Sequence, residues 1–167
     1  MKYLLIAGAG AAALGWVMPA HAQETPGEAV EALYDVISGP VGETRDWDRF
    51  RAMFLEGAQM TVLAPTPEGE ERVVTLTVED YVERNSERLS QMGFTEAETR
   101  RQTHIYGGLA TILSAYEATR ADTGETIATG VNTIVLARQD GVWKVASLAW
   151  RSETEDWPVE RAFEARH

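Results

Sequence analysis

Residues 109–151 decide the fold, and they read LATILSAYEATRADTGETIATGVNTIVLARQDGVWKVASLAWR. Three segments of this stretch, 109–119, 126–138 and 142–151, are rich in β-branched and apolar side chains, which favour strands. The DTGE sequence between the first two segments is typical of a hairpin turn, and the Asp-Gly pair between the last two is a strong signal for a two-residue hairpin. The stretch therefore predicts an antiparallel meander of three long strands.

Three helices are predicted upstream of this meander. Residues 25–37 begin with a capping box, TPGE, and continue with apolar side chains at helical spacing. Residues 46–57 begin with an N-cap candidate, Asp46, and end at a glycine, and residues 77–93 follow the same pattern. Further strand-like segments lie at residues 59–64, 72–77 and 99–106.

Helices that precede a meander predict an α+β domain. We expect a cone-shaped, strongly curved antiparallel sheet with about three N-terminal helices on its concave face, because this arrangement buries the apolar sides of both layers. The Gly107-Gly108 pair, where a strand can kink, suits such curvature.

Composition limits the classes of function that are open to the chain. Its 167 residues suit one domain, and 44% of them are hydrophobic, which is enough for a packed core. Acidic residues outnumber basic ones by 26 to 15, for a formal net charge of −11. This balance argues against nucleic-acid binding and against electrostatic attachment to an anionic membrane. No cysteine is present, so disulfides, thiol nucleophiles and zinc–thiolate sites are excluded.

The first 22 residues predict a cleaved secretory signal peptide. Lys2 precedes an uncharged apolar stretch, and Ala20-His21-Ala22 matches a small-x-small cleavage site. An uncleaved anchor helix is the alternative, although glycine and proline residues dilute the stretch. We expect a periplasmic or secreted protein that has no membrane attachment after cleavage. Its single domain would cover residues 23–152, and a polar tail would cover residues 153–167.

The order of these elements and several local sequences resemble the nuclear transport factor 2-like (NTF2-like) superfamily, in its SnoaL-like bacterial branch. The resemblance rests on the opening helix at residues 29–38, the sequence DWDRFRAMF at residues 46–54, a third helix after a short hairpin, and three final strands that contain DGVWKV and end at Trp150. It covers roughly residues 26–152.

This resemblance implies a fold but no single activity, because the superfamily includes isomerases, dehydratases, epoxide hydrolases, cyclases and non-catalytic binders. The sheet and helices of its members usually enclose one apolar pocket. Domains commonly dimerise through the outer face of the sheet. The resemblance therefore implies a small apolar or aromatic ligand and a homodimer.

His104 is a candidate general acid or base, because the pKa of a histidine suits proton transfer near neutral pH. It lies two residues before Tyr106 on a predicted strand, so the two side chains share a face. If that face points inward, Tyr106 becomes a ligand contact beside a catalytic imidazole. The alternative is a histidine that faces solvent or has an ordinary hydrogen-bond partner.

Tyr34 lies on the apolar face of the first predicted helix, where the resemblance to the ketosteroid isomerases of this superfamily implies a phenol donor. Such a hydroxyl can polarise a carbonyl in a dry cavity. That reaction also needs a carboxylate base near the end of the first strand, and residues 59–65 contain none. The alternative is a core tyrosine whose hydroxyl has a hydrogen-bond partner.

Asp46 has two interpretations. As the N-cap of the second helix it would accept hydrogen bonds from exposed amide groups and need no further function. The epoxide hydrolases and dehydratases of the superfamily pair an aspartate with an arginine or a histidine inside the pocket. The resemblance therefore also implies an Asp46–His104 pair that would orient the imidazole.

The remaining candidates for ligand contact are one amide and three aromatic side chains: Asn132, Tyr116, Trp47 and Trp150. Asn132 lies in an apolar run of a central strand, where an amide without partners costs roughly 1–3 kcal/mol. It is therefore either a ligand contact or part of a structural network. Tyr116 is predicted to share a strand face with Ser114, and the two tryptophans either contact a ligand or pack in the core.

The chain lacks the motifs of several enzyme classes: it has no GxSxG, no HExxH, no P-loop and no GxGxxG followed by a helix. With so few histidines and no cysteine, we expect no metal site and no cofactor. Two hypotheses remain. The first is an exported module that binds a small molecule in its cone. The second is a cofactor-free isomerase, dehydratase or hydrolase that uses His104 as acid or base with tyrosine donors.

Overall fold

The computed structural model describes residues 25–66 and 69–164. The expected signal peptide, residues 1–22, and its cleavage site lie outside the described residues. The expected tail is described as far as residue 164. Within these ranges, no helix combines the length and the apolar character that a membrane crossing requires.

The described residues form three α-helices, six strands and one short 3₁₀ helix. In chain order the elements are α1 (Pro26–Ile37), α2 (Trp47–Ala52), β1 (Phe54–Pro65), β2 (Glu71–Thr77), α3 (Val78–Met92), β3 (Phe94–Tyr106), β4 (Leu109–Arg120), β5 (Thr126–Gln139), β6 (Val142–Ser152) and the 3₁₀ helix (Val159–Phe163). The α+β prediction is confirmed, and β4, β5 and β6 are the predicted meander.

Side chains at the helix starts explain where the helices begin. Thr25 accepts a hydrogen bond from the backbone N–H of Glu28 at 3.2 Å, and the carboxylate of Glu28 accepts one from the N–H of Thr25 at 2.9 Å. Thr77 and Asp80 form the same reciprocal capping box at the start of α3. These bonds satisfy amide groups that have no partner within the helix.

The strands form one curved, open sheet in the order β2-β1-β6-β5-β4-β3. Four neighbouring pairs are antiparallel, whereas β1 and β6 are parallel, with Met60 opposite Leu148. The sheet is therefore mixed rather than wholly antiparallel as predicted. The parallel pair arises because the last strand of the meander returns beside the first strand of the N-terminal hairpin.

Two predicted boundaries are wrong, and both errors concern strand irregularities. Helix α2 ends at Ala52 rather than at Gly57, because β1 already pairs with β6 at Phe54. Gly57 lies in the irregular part of β1 with a φ of 77°, a conformation that favours glycine. Strand β3 begins at Phe94 rather than at Thr99, and it pairs with β4 on both sides of a register irregularity between Glu98 and Arg100.

The apolar core lies between the helices and the face of the sheet that they cover. Its fully buried members come from helices and central strands alike: Val30, Leu89, Ile112, Ile134, Leu136 and Val145. The opposite face, called the outer face below, carries the segment that follows β6. There the guanidinium groups of Arg151 and Arg161 each lie over the Trp157 ring, at 5.5 and 5.2 Å from its centroid.

Arg45 is a buried cation whose partners are backbone carbonyl groups. Arg45 is only 4% exposed. Its guanidinium donates to the carbonyl oxygens of Ile37 at 2.9 Å, Gly39 at 2.7 Å and Glu43 at 2.7 Å. It also donates to the carbonyl of Leu89 at 3.2 Å. A cation at a helix C-terminus satisfies the carbonyl groups left free there. Arg45 therefore joins the end of α1 to the last turns of α3.

Candidate functional site

An internal cavity of about 350 Å³ lies between the helices and the sheet. Most of its wall is apolar or aromatic, with side chains from α1, α2, α3 and all six strands. The exposed side chains of Arg88 and Ile127 also line it and mark its mouth. Apolar walls with a few convergent polar groups are typical of small-molecule sites.

Tyr34 and Asn132 meet on one wall of this cavity. The Nδ2 of Asn132 donates to the hydroxyl of Tyr34 at 3.0 Å, and that hydroxyl lies 2.6 Å from the Oγ of Ser114. All three residues are buried. Burial raises the pKa of Tyr34 well above its ordinary value, so the phenol is neutral. Asn132 is therefore part of a structural network, which is one of its two interpretations, and it also lines the cavity.

Glu96 brings a carboxylate to the same wall. It lies near the start of β3 and accepts a hydrogen bond from the Nδ2 of Asn132 at 3.3 Å. Burial raises the pKa of Glu96 to about 7, although the bond from Asn132 opposes the rise. A carboxyl group with such a pKa can both take up and release a proton near neutral pH.

The partners of Tyr34 and Ser114 indicate which of the two hydroxyl groups donates the hydrogen bond between them. Ser114 donates to the carboxylate of Glu98 at 2.5 Å, so its oxygen is left to accept the proton of Tyr34. The oxygen of Tyr34 in turn accepts from Asn132. The Tyr34 proton is therefore directed to Ser114, which leaves no second proton on Tyr34 for the ligand carbonyl that the resemblance implied.

Beyond Glu98 the network continues to the surface. The Nε of Arg101 donates to Glu98 at 2.8 and 3.0 Å, and the Nη2 of Arg101 lies 3.2 Å from Glu31 on α1. This ion pair keeps the Glu98 carboxylate in the accepting role that the direction of donation requires.

Tyr81 presents a different hydroxyl to the cavity. Its ring stacks on the ring of Phe50, with the centroids 5.3 Å apart, and packs edge to face against Trp150, with the centroids 6.3 Å apart. Burial, together with the nearby negative charge of Glu96, raises the pKa of Tyr81. No hydrogen bond to the Tyr81 hydroxyl comes from the described residues, so this group is available to donate to a ligand.

Four of the eight residues predicted from the sequence line the cavity: Tyr34, Tyr116, Asn132 and Trp150. Tyr116 faces it from β4, and its hydroxyl lies 3.4 Å from the Oγ of Ser152. Trp150 reaches it from β6 and also lines a groove on the outer face.

His104 and Tyr106 are exposed, so the structure has the solvent-facing alternative and not the inward orientation that a catalytic His104 would need. They do share a face, but a register irregularity between Glu98 and Arg100 reverses the alternation of β3. His104 consequently lies opposite Thr111, on the exposed side of β4, and Tyr106 is 89% exposed. The His104 ring contacts Gln102 at 3.0 Å and lines no part of the cavity.

The other two predicted residues also lie away from the cavity wall. Asp46 is exposed and accepts a hydrogen bond from the N–H of Arg49 at 2.9 Å, so it is the N-cap of α2 and forms no pair with His104. Trp47 is buried against Phe50, with ring centroids 5.6 Å apart. It belongs to the apolar core and does not line the cavity, although Phe50, one turn further along α2, does.

Sequence reasoning missed Glu96, Glu98 and Tyr81 as site residues. The signal for the two glutamates is their alternation with Thr95 and Ala97 directly after buried Phe94. That alternation indicates a strand whose inward-facing side chains include both glutamates. Because the strand was predicted to begin at Thr99, both glutamates fell outside it. Among the described residues no group of three or more histidine, aspartate or glutamate side chains is arranged to hold a metal ion.

Comparisons with known proteins bear on the fold. No family model and no curated protein matches the chain. Among solved structures, an NTF2-like protein with a cystatin-like fold from Novosphingobium aromaticivorans superimposes with a TM-score of 0.62, covering 83% of this chain and 86% of that one at 10% identity.

Two further structures are similar to a comparable degree. A candidate dehydratase of the NTF2-like family from Streptomyces avermitilis has a TM-score of 0.57 and 14% identity, and covers 77% of this chain and 93% of its own. An NTF2-like superfamily protein from Salmonella enterica has a TM-score of 0.54 and 17% identity, over 77% and 88%. At such identities the likeness establishes architecture and leaves activity open. The chain therefore has the NTF2-like, cystatin-like fold that its sequence predicted.

Proposed function

We propose that this protein binds a small, largely apolar organic molecule in its internal cavity. The observation that carries the proposal is the cavity of about 350 Å³, walled by aromatic and aliphatic side chains with a few polar groups on one side. A site of this composition buries most of a small ligand and orients it through few polar contacts.

The polar wall determines how such a ligand would lie. The hydroxyl of Tyr34 is already committed to Ser114 and Asn132, so it offers little to a ligand. The carboxyl group of Glu96 and the hydroxyl of Tyr81 remain. A bound molecule would place its one polar group against Glu96 and its apolar part among the rings.

The test uses N-phenyl-1-naphthylamine, an uncharged dye that fluoresces in apolar surroundings. Ala128→Phe fills part of the cavity near its mouth, and Ala97→Phe adds the same ring at an exposed position of β3. We expect the dye to bind the unaltered protein and Ala97→Phe alike, and Ala128→Phe about tenfold more weakly or worse. No binding to the unaltered protein, or equal binding to both variants, would contradict the proposal.

Acid–base catalysis is the second candidate, with Glu96 in the role first assigned to His104. The observation in its favour is a carboxyl group with a pKa of about 7 inside an apolar cavity. One similar structure is described as a candidate dehydratase, which supports this reading by analogy alone.

Proton exchange into carbonyl compounds tests that candidate. A panel of small ketones and hydroxyketones is incubated with the protein in deuterium oxide, and deuterium uptake next to the carbonyl is followed by NMR. Glu96→Gln should abolish any uptake, whereas His104→Ala should leave it unchanged. Loss of uptake in His104→Ala alone would restore histidine to the catalytic role.

Export of the protein is proposed on its sequence. The support is the lysine, the apolar stretch and the Ala20-His21-Ala22 site within residues 1–22. Expression of the full chain in a Gram-negative bacterium should yield a periplasmic protein whose intact mass begins at Gln23. A full-length chain in the membrane fraction would favour the anchor alternative.

A homodimer through the outer face of the sheet is proposed on the resemblance to a SnoaL-like domain. Half-buried apolar side chains on that face, Leu63, Val131 and Ala149, support it. Sedimentation equilibrium should give twice the chain mass for the unaltered protein and the chain mass for Val131→Arg. A monomer in both cases would exclude this interface.

A further inference from the structure

Glu96 is the only carboxylate among the described residues that line the cavity. The residue is half-buried, and the hydrogen bond that its carboxylate accepts from the neutral amide of Asn132 is 3.3 Å long. Burying a carboxylate is unfavourable unless strong partners replace the water that it loses. One long bond from a neutral amide replaces little of it.

A second glutamate on the same strand, Glu98, has the strong hydrogen-bond and charge partners that Glu96 lacks. Glu98 accepts hydrogen bonds from Ser114 and from the guanidinium of Arg101, with which it also forms an ion pair. None of the ion pairs within residues 25–66 and 69–164 includes Glu96. The cavity therefore holds a carboxylate that lacks a positive partner.

Aromatic rings surround this carboxylate. The cavity is lined by six of them, from three helices and three strands: Tyr34, Phe50, Tyr81, Phe94, Tyr116 and Trp150. The faces of aromatic rings carry partial negative charge and attract cations, most strongly where water is excluded. Rings and an unpaired carboxylate together form a site with a preference for positive charge.

We propose that the ligand of this cavity is an organic cation, an amine or quaternary ammonium group attached to an apolar body. This inference deepens the proposed small-molecule binding and rests on it. The ammonium group lies against Glu96 among the rings, and the apolar body occupies the rest of the cavity. The formal net charge of −11 favours the approach of such a ligand.

The titratable groups that face Glu96 from the helices and from β4 are phenols. Burial raises the pKa of Tyr34 on α1, Tyr81 on α3 and Tyr116 on β4, and the negative charge of Glu96 adds to each rise. All three phenols are therefore neutral near pH 7 and add no charge that opposes a cation.

Two charged groups near Glu96 have opposite effects on the binding of a cation. Glu98, on the same strand, adds negative charge and favours the ionised form of a bound amine. Arg88 of α3 lines the mouth and opposes a cation, but it is exposed and donates to Asn85 at 3.0 Å. Solvent screens an exposed charge of this kind, so Arg88 weakens the preference without reversing it.

The proposed preference depends on pH through Glu96. Because burial raises the pKa of Glu96 to about 7, a cation that binds at lower pH must displace a proton from it. The affinity for a cation should therefore fall as the pH drops below about 7, by up to about tenfold per pH unit. The affinity for a neutral ligand should change far less.

Three probes with one apolar body test this inference: 2-naphthylmethylamine as the cation, 2-naphthylmethanol as the neutral form and 2-naphthoate as the anion. Their affinities are measured by isothermal titration calorimetry at about pH 8, where Glu96 is ionised and the amine protonated. We expect the amine to bind about tenfold more tightly than the alcohol, and the naphthoate to bind most weakly.

Matched variants assign the preference to one side chain. Glu96→Gln removes the cavity carboxylate, and Glu117→Gln removes one from the exposed side of β4, so both change the net charge equally. Glu96→Gln should bind the amine no more tightly than the alcohol, whereas Glu117→Gln should keep the tenfold preference.

The outcomes separate the two proposals. Binding of the alcohol with no preference for the amine, or with a preference for naphthoate, overturns the cation inference and leaves small-molecule binding intact. A preference for the amine that persists in Glu96→Gln assigns the cation to another surface and also overturns it. Binding of none of the three probes contradicts both proposals.

Discussion

The amide of Asn132 donates a hydrogen bond to the carboxylate of Glu96 across 3.3 Å, although their strands, β5 and β3, are separated in the sheet by β4. The contact spans a whole strand because the sheet is curved and both side chains point into the concave side. The same amide group also donates to Tyr34. Asn132 therefore links the structural network of Tyr34 and Ser114 to the Glu96 carboxyl group on the cavity wall, and a substitution at either end should alter the other.

Replacing Asn132 with leucine should raise the pKa of Glu96 above its value of about 7, because the amide donor stabilises the ionised carboxylate. The change also leaves the oxygen of Tyr34 with one partner fewer, so we expect a loss of about 1–3 kcal/mol in the free energy of unfolding. The pKa is followed by NMR titration of the glutamate carboxyl carbons. Thr133→Leu, on the outer face of the same strand, is the control and should leave the pKa of Glu96 unchanged.

Glu96 should make the protein less stable as the pH rises from about 4.5 to about 7. Its ordinary pKa is 4.5 and its value in the folded state is about 7, so in this interval the folded chain holds a proton that the unfolded chain has lost. The stability attributable to the protonated carboxyl group is full below pH 4.5 and is lost by about pH 7. In Glu96→Gln this dependence disappears, and the free energy of unfolding at about pH 8 should rise by about 1–3 kcal/mol.

Urea unfolding at about pH 5 and pH 8 measures this effect. The difference between Glu96→Gln and the unaltered protein should be small at the lower pH and large at the higher one. Glu117→Gln, whose carboxylate is exposed, should show no such change between the two. An equal effect of Glu96→Gln at both pH values would mean that Glu96 is ionised throughout.

Local signals in the sequence were strong enough to predict most of the fold. The capping threonines, Thr25 and Thr77, begin helices as expected. The Asp140-Gly141 turn has positive φ at both residues, 52° and 86°, as a two-residue hairpin between twisted strands requires. Each of these features depends on atoms a few residues apart, so it is visible in a single stretch of chain.

The site depended on features that no local pattern shows. The register irregularity after Glu98 decides which face His104 occupies, and it is visible only in the pairing of β3 with β4. Glu96 and His104 are an even number of residues apart, so a regular strand would place both side chains on the same face. The same irregularity explains why Glu96 points inward while His104 points outward. Tyr34 and Asn132 line the cavity, and both could be singled out from the sequence because each is a polar side chain within an apolar pattern, a contrast that does not depend on register.

Tyr34→Phe should destabilise the fold by about 1–3 kcal/mol and leave the affinity for 2-naphthylmethanol unchanged. The hydroxyl joins Ser114 to Asn132 at 2.6 and 3.0 Å, and its loss leaves each of these buried groups with one hydrogen bond fewer. Its proton is already directed to Ser114, so a ligand loses no donor. Urea unfolding and calorimetry measure the two quantities. A large loss of affinity at unchanged stability would show that Tyr34 donates to the ligand after all.

Tyr34 and Ser114 should also be energetically coupled. In a double-mutant cycle of Tyr34→Phe and Ser114→Ala, each single variant should be destabilised, and the double variant by less than the sum of the two. The expected coupling is about 1 kcal/mol, since the second substitution removes a partner that the first has already left unpaired. Additive effects would mean that the two hydroxyl groups act independently.

Arg45→Met should be the most destabilising of these changes, with a loss of about 2–4 kcal/mol in the free energy of unfolding. The buried guanidinium satisfies carbonyl groups of Ile37, Gly39, Glu43 and Leu89, and methionine fills similar space without a donor. Arg49→Met, which removes a half-exposed ion pair on the next helix, is the control and should cost no more than about 1 kcal/mol. Amide hydrogen exchange should quicken at the ends of α1 and α3 in Arg45→Met, because those are the two segments that the side chain joins. If the loss is small and exchange is uniform along the chain, the carbonyl groups find other partners and Arg45 does not hold the helices together.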